Sequence, residues 1–379
     1  MDFNLNEDQR AIQDMARQFT KDRIFDQAAE WDEKKIWPAD IARESGELGF
    51  ASIYVSEEMG GCGLSRVESA LIFEQLSQGC PSTAAMISIH NMATWMIDCF
   101  GSETLKNKYV PSLATFETMA SYCLTEPGAG SDAASLKTRA VKDGDSYVLN
   151  GTKAFISGGG TSDVYIVMAR TSDDGARGIS CFVVEKGTEG LSFGAQEKKL
   201  GWRSQPTSMV MFDDCRIPAE NLVGAEGQGF KIAMQGLDGG RLNIAACSIG
   251  GAQRALDEAV AYTKERKQFG KAIADFQAIQ FKLADMKTEL EAARLMLYSA
   301  AQKVSDKTPD ATSAAAMAKR FATDVGFNVV NDALQLHGGY GYIQEYPIER
   351  ILRDLRVHQI LEGTNEIMRM IIGRDMVKD

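Results

Sequence analysis

The hydrophobic period of this 379-residue chain changes twice, and that change limits the fold more tightly than any motif. Over residues 1–118 apolar side chains recur at helical spacing: Ile12, Met15, Ala16 and Phe19 fall at i, i+3, i+4 and i+7, and "RVESALIFEQLSQ" and "ATWMIDCF" follow suit. The glycine loop "EEMGGCGLS" interrupts them. Over 119–224 the pattern shortens to "SYVL", "VYIVMAR", "ISCFVVEK" and "SMVMF", with turn clusters such as Asn150-Gly151 and "SDDGARG" between them. From 225 to 379 the helical period returns in long stretches, including "RALDEAVAYTKERKQF" and "FQAIQFKLADMKTELEAARLMLYSAAQKV". Thr308-Pro309 reads as an N-cap followed by proline at the first helical position, and Pro347 as the opening of another helix. There is no βαβ alternation and no internal repeat. The order predicts an α+β protein: an N-terminal helical domain, a middle β domain and a C-terminal antiparallel bundle.

Composition narrows the function by exclusion. Forty-one Lys and Arg against 52 Asp and Glu give a net charge of −11, which repels a phosphate backbone and an anionic membrane surface. The seven cysteines are scattered and form no Cys-x-x-Cys pair, so they read as reduced, mostly buried small hydrophobes. The N-terminus has no apolar signal core, and no run reaches the ~20 apolar residues of a membrane span. Three isolated histidines (90, 337 and 358) fit packing and hydrogen bonding better than metal ligation, so no metal is expected. "GAGSDA" (128–133) matches a loose dinucleotide fingerprint, but strands and turns follow it where a helix is needed.

Other glycine clusters, "SGGG" (157–160), "DGG" (238–240) and "HGGYG" (337–341), are turn chemistry singly. Two of the clusters also carry Thr125, Ser131, Ser157 or Gln335, the small donors that hold a flat heterocycle or a phosphate, and together they predict a cofactor cleft. One acid stands out. In "QILEGTNEIMR" Glu362 lies where one helix stops and another restarts, between Ile360-Leu361 and Gly363. On its own residues a solvated turn between helices is the better reading.

"YCLTEPGAGSDAAS" (122–135) and "QLHGGYGYIQEYPIERILRD" (335–354) resemble the two signature stretches of the acyl-CoA dehydrogenase family, and "ERKQFGK" and "EGTNE" extend the similarity over essentially the whole chain. The resemblance implies that family's fold, with a middle β-barrel and a C-terminal four-helix bundle. It also implies FAD between the two, its ring edge on Tyr122, Leu124 and Thr125, with Phe155 and Ser157 completing the shelf. Phe155 departs from the Trp of several relatives. Arg266, Phe269, Gln335 and Gly339 would reach the FAD of a neighbouring subunit in a homotetramer, and Thr364 and Glu366 would lie beside the nucleotide. Ser131, Asp238, Arg241, Gly363 and Arg374 match positions along the CoA thioester.

The implied reaction is α,β-dehydrogenation, with Glu362 as the base on Cα and a flavin taking hydride from Cβ on the opposite face. The implied donors to the thioester oxygen are the glutamate's own N–H and a ribityl hydroxyl. Some family members carry the base on the helix that here reads "LDGGRLN", where this chain has Gly239 and Gly240. Further similarity in "LNGTKAFISGGG", "EKKLGWRSQPT" and "VHQILEGTNEIMR" points to a branch that converts isobutyryl-CoA to methacrylyl-CoA in valine catabolism, with electrons passing to electron-transferring flavoprotein. Short straight-chain and 2-methyl-branched acyl-CoAs stay open as substrates, as do an acyl-CoA oxidase and a flavin-bearing DNA-binding relative. A Met directly before the first helical segment favours a bacterial cytoplasmic protein, with the mitochondrial matrix as the setting of a trimmed organellar form.

Overall fold

A computed structural model describes residues 4–378; the starting Met1 with Asp2 and Phe3, and Asp379, lie outside the described residues. The N-terminal helices are α1 (Glu7–Arg23), α2 (Ala28–Lys34), α3 (Ala39–Glu47), α4 (Arg66–Gly79), α5 (Pro81–Phe100) and α6 (Glu103–Ala114). Eight strands follow: β1 (Ala120–Cys123), β2 (Arg139–Asp143), β3 (Ser146–Ser157), β4 (Val164–Arg170), β5 (Ile179–Glu185), β6 (Leu191–Phe193), β7 (Thr207–Pro218) and β8 (Leu222–Val223). Then come α7 (Gly229–Glu265), the two-residue strands β9 (Lys267–Gln268) and β10 (Lys271–Ala272), α8 (Gln277–Ser305), α9 (Ala311–His337), α10 (Ile348–Arg356) and α11 (Asn365–Met376).

Capping chemistry sets the helix starts where the sequence is polar. Asn6 accepts from Gln9 N–H while the Gln9 side chain accepts from Asn6 N–H, a closed capping box, and Ser65 with Glu68 repeats the device on α4. Ala16 and Phe19 of α1 are buried, whereas Met15 stays 39% exposed, because α1 lies on the outside of α4 and buries a narrow stripe.

Two helix starts differ from the sequence reading. α9 begins at Ala311 behind Asp310, and Thr308 belongs to the turn closing α8, where its N–H bonds Lys303 O at 3.0 Å. Pro347 caps α10 from outside: its carbonyl accepts from Ile351 N–H at 3.1 Å, the first intrahelical bond, so Ile348 is the first helical residue.

The sheet runs β6-β7-β3-β2-β4-β5-β8, with β1 laid parallel to β4 in the register Ala120↔Val164 to Cys123↔Val167. Its inner face is a core of Tyr147, Leu149, Tyr165, Phe182 and Phe212. The other side meets α5 and α7 through Met92, Met96, Ile166, Val183 and Ile232. β1 therefore sits at the seam between sheet and helices, and the strand "YCLT" leaves it toward that seam. α7 crosses the whole molecule as one 37-residue helix and packs on α4, α5, α8 and α9. Its Gly250 is required by close approach, since a Cβ there would stand 2.1 Å from Glu74 O.

The histidines pack and hydrogen-bond. Buried His90 donates from Nε2 to Leu113 O at 2.9 Å and accepts Ala120 N–H at Nδ1 at 3.0 Å, and burial takes it down to about 4. Five of the seven cysteines are buried and all are free. Among the described residues no helix is long and apolar enough to cross a membrane.

Candidate active site

Glu362 stands on a five-residue link between the short helical turn Val357–Gln359 and α11. Its φ is +57°, and Gly363 follows at +90°. A left-handed glutamate is uncommon, and here the neighbours hold it. Thr364 caps α11 by accepting Ile367 N–H, and Arg241 Nε of α7 donates to Glu362 O at 3.4 Å. The turn throws the side chain inward against α7. Although the residue as a whole is half-buried, its Oε2 is enclosed and has no hydrogen-bond partner among the described residues.

Room for that carboxylate comes from Gly240, where a Cβ would lie 2.5 Å from Oε2; at the adjacent Gly239 a Cβ would lie 2.4 Å from the Arg66 guanidinium. Burial raises the Glu362 carboxyl to about 7, opposed by the positive charges of Arg241 and Lys319. The acid is thus poised to exchange a proton near neutrality.

Around it the structure gathers Asp238, Arg241 and Tyr122. Arg241 is buried and donates to Asp238 Oδ1 at 2.6 Å, while Thr312 donates to Asp238 Oδ2 at 2.7 Å. Asp238 and Arg241, expected along an acyl-CoA channel, therefore engage each other and the backbone of Glu362. The Tyr122 hydroxyl is enclosed without a hydrogen-bond partner among the described residues, and burial, then the nearby Glu362, push its phenol well up. On the next layer the Arg66 guanidinium lies 3.5 Å from the Tyr54 ring centroid and 5.2 Å from that of Trp95.

The expected shelf assembles beside this centre. Thr125 O accepts Ala154 N–H at 2.8 Å, which ties "LTE" to β3. β3 carries a register shift between Lys153 and Ile156, and Phe155 sits in it with φ +58° and 69% of its surface exposed. Ser157 anchors its carbonyl on Ser121 Oγ and receives Gln205 Nε2 on its hydroxyl. Ser131 is exposed in the adjoining loop, where Gly128 and Gly130 have nothing within 4 Å of a would-be Cβ. An aromatic face left bare in strained backbone, beside a glycine loop open to close approach, suits a planar heterocycle with an attached phosphate.

Three of the other expected residues gather elsewhere. Arg266, Gln335 and Gly339 line a cleft of about 630 Å³ with Tyr262 and His337, and none of the Glu362 group lines it. Phe269 turns the β9–β10 hairpin with Gly270 and is 94% exposed. Glu366 is exposed near Arg369, and Arg374 is exposed on the last turn of α11.

Sequence reasoning passed over several residues that build the site. Lys153 is fully buried, donating to Leu124 O at 3.1 Å and Glu126 Oε1 at 2.8 Å, while Glu126 also accepts Lys137 N–H and Thr138 N–H. The signal was parity, since Lys153 shares the inward face of β3 with Tyr147 and Leu149. Lys319 likewise falls at helical spacing among Ala315, Ala318 and Ala322.

Models of the acyl-CoA dehydrogenase N-terminal, middle and C-terminal domains match residues 6–117, 121–215 and 227–377. Mitochondrial isobutyryl-CoA dehydrogenase of Dictyostelium discoideum is 55% identical over 376 residues, covering 99% of this chain and 90% of that one. Butyryl-CoA dehydrogenase from Megasphaera elsdenii superposes with a TM-score of 0.97 at 41% identity over the full length of both chains. A chain in the structure of the electron-transferring flavoprotein of Acidaminococcus fermentans does so with a TM-score of 0.98 at 45% identity, again over both full lengths.

Proposed function

We propose that this chain, which belongs to the acyl-CoA dehydrogenase family of FAD-dependent oxidoreductases, dehydrogenates a short branched acyl-CoA with Glu362 as the base. The observation that carries the reading is the enclosed, unpartnered Oε2 on a left-handed turn, with its carboxyl raised to about 7. A carboxylate denied water and hydrogen bonds is a stronger base, and one poised near the working pH both takes and releases a proton readily.

In the reaction Glu362 removes the proton from Cα of the thioester. The Glu362 N–H, which donates to no protein acceptor among the described residues, is free to bond the thioester oxygen as negative charge grows there. Tyr122, Leu124, Thr125, Phe155, Ser157 and Ser131 would hold FAD, with Thr364 and Glu366 toward its nucleotide end; when bound, FAD supplies the acceptor for the hydride of Cβ. Gly363 lets backbone approach the substrate, and Asp238, Arg241 and Arg374 serve the acyl-CoA side.

The substrate is isobutyryl-CoA and the product methacrylyl-CoA, a step of valine catabolism, as the name of the Dictyostelium relative supports. Electrons pass to an electron-transferring flavoprotein, in line with the Acidaminococcus likeness. Arg266, Phe269, Gln335 and Gly339 complete the FAD site of a neighbouring subunit in a homotetramer. Support comes from the bare Phe269 and from Phe281, Leu295 and Met296 of α8, apolar side chains left exposed. Domain limits at 118 and 224 fall between α6 and β1 and between β8 and α7. The setting is a bacterial cytoplasm or a mitochondrial matrix.

Anaerobic titration of the FAD-loaded protein with a panel of short acyl-CoAs tests the reading. Isobutyryl-CoA bleaches the flavin fastest, and E362Q binds it without bleaching. Normal bleaching by E362Q ends the assignment of the base.

A further inference from the structure

The reaction as proposed assigns no step to Lys319, although its side chain is fully buried in α9 one layer behind Glu362. Its Nζ donates to Gly363 O at 2.8 Å and to Asn365 Oδ1 at 2.9 Å. Asn365 is itself locked to α9, donating to Thr323 Oγ1 at 2.9 Å and to Asp324 Oδ1 at 2.7 Å, and Gln359 on the other side of the link donates to Asp324 at 2.9 Å. Arg241 meanwhile reaches from α7 to the carbonyl of Glu362. Two successive carbonyls of the link are thus gripped by two cations from different helices. They are the carbonyls whose orientation decides which way a left-handed Glu362 and Gly363 present the acid and its N–H.

We propose that Lys319 is a positioning residue for the Glu362 reaction: by holding Gly363 O it fixes the turn that aims the acid. Its positive charge also opposes the rise that burial imposes on the Glu362 carboxyl. The proposal rests on Glu362 being the base. It predicts a division of labour, since Arg241 also compensates Asp238 whereas Lys319 has its hydrogen bonds within the link and its first helical residue.

The groups that bear on this pair are few. Lys319 faces Glu362 of the link, Glu366 of α11, Arg241 of α7 and Asp324 of its own helix, and its charge also reaches His358. Glu362 in addition faces Tyr122 of β1 and Tyr54, on which Arg66 is stacked. Burial draws Lys319 down to about 7, and Glu362 is the strongest influence holding it up. Lysine and acid therefore exchange protons in one coupled range, and neutralising one shifts the other.

The test compares K319Q, which keeps a donor for Gly363 O but loses the charge, with K319M, which loses both, in the FAD-loaded protein. Both move the acidic limb of the kcat–pH profile to higher pH. K319M further lowers kcat by about tenfold or more at unchanged KM for isobutyryl-CoA, as expected for a misaimed base. Independently of turnover, the pH at which stability falls through Glu362 ionisation rises in both variants. A merely structural lysine would lower FAD content and stability and leave both pH values where they were; that result, or an unmoved limb in K319Q, overturns the proposal. If neither variant takes up FAD, N365A keeps the charge while removing one acceptor, so kcat must fall with the limb unmoved, and wild-type kcat there overturns it. The two readings fail separately: an active E362Q defeats the base, whereas an inactive E362Q beside an unmoved K319Q limb defeats only the role of Lys319.

Discussion

Replacing Glu362 by glutamine should make the protein more heat-stable, and only above a certain pH. The carboxyl moves from an ordinary 4.5 to about 7 on folding, and at 1.36 kcal/mol per unit that is about 3 kcal/mol. The sign follows from the linkage. The folded state holds its proton more tightly than the unfolded one, so the group favours folding below pH 4.5, and that benefit drains away as pH rises to about 7. Above pH 7 the wild type therefore carries an ionised, unpartnered carboxylate at a cost that a neutral amide avoids. For a single cooperative transition of 379 residues, the unfolding entropy is about 0.8 kcal/mol/K, so 3 kcal/mol corresponds to about 4 °C. Melting curves of E362Q and wild type, recorded without substrate from pH 4.5 to 8 at one FAD concentration, should nearly coincide at the acid end and diverge to about that gap by pH 8. Parallel curves across the range would refute the argument, because they would mean that the side chain is solvated in the folded protein.

G240A puts a methyl group 2.5 Å from Glu362 Oε2; single-turnover bleaching should slow by about 100-fold with FAD content unchanged, and a wild-type rate would show that the carboxylate yields at no cost. K153M strands Glu126, a buried acid that burial would raise but that Lys153 and two backbone N–H groups hold below its usual value; the loss of about 3–5 kcal/mol should appear as a lowered melting temperature at neutral pH and shrink as acid protonates Glu126. R266A should weaken FAD retention by roughly 10- to 100-fold, as for a hydrogen bond to a charged group, read from the flavin-to-protein ratio after gel filtration, and leave the acidic limb of kcat in place.

The helical, β, helical order was legible because burial imposes period 3.6 or period 2 wherever an element has one wet face, as in α1 and β3. α7 was legible only in its second half. Gly236, Gly239, Gly240, Gly250 and Gly251 look like breaks, yet a Cβ would stand 2.1 Å from backbone at Gly250 and within 2.7 Å of a neighbouring side chain at Gly239, Gly240 and Gly251. An acid between two helices could be read at 362, but not its left-handed backbone, which Arg241 helps to hold from α7, far off in the sequence. Lys153 and Lys319 escaped notice because lysine normally faces water, and only long-range partners make these two worth burying.

The 2.5 Å between Oε2 and the missing Cβ of Gly240 also makes that small volume exclusive as the turn stands. Any side chain at position 240 would meet the carboxylate of Glu362, so the acid keeps its present place only while α7 is bare there, and one of the two must shift for both to fit.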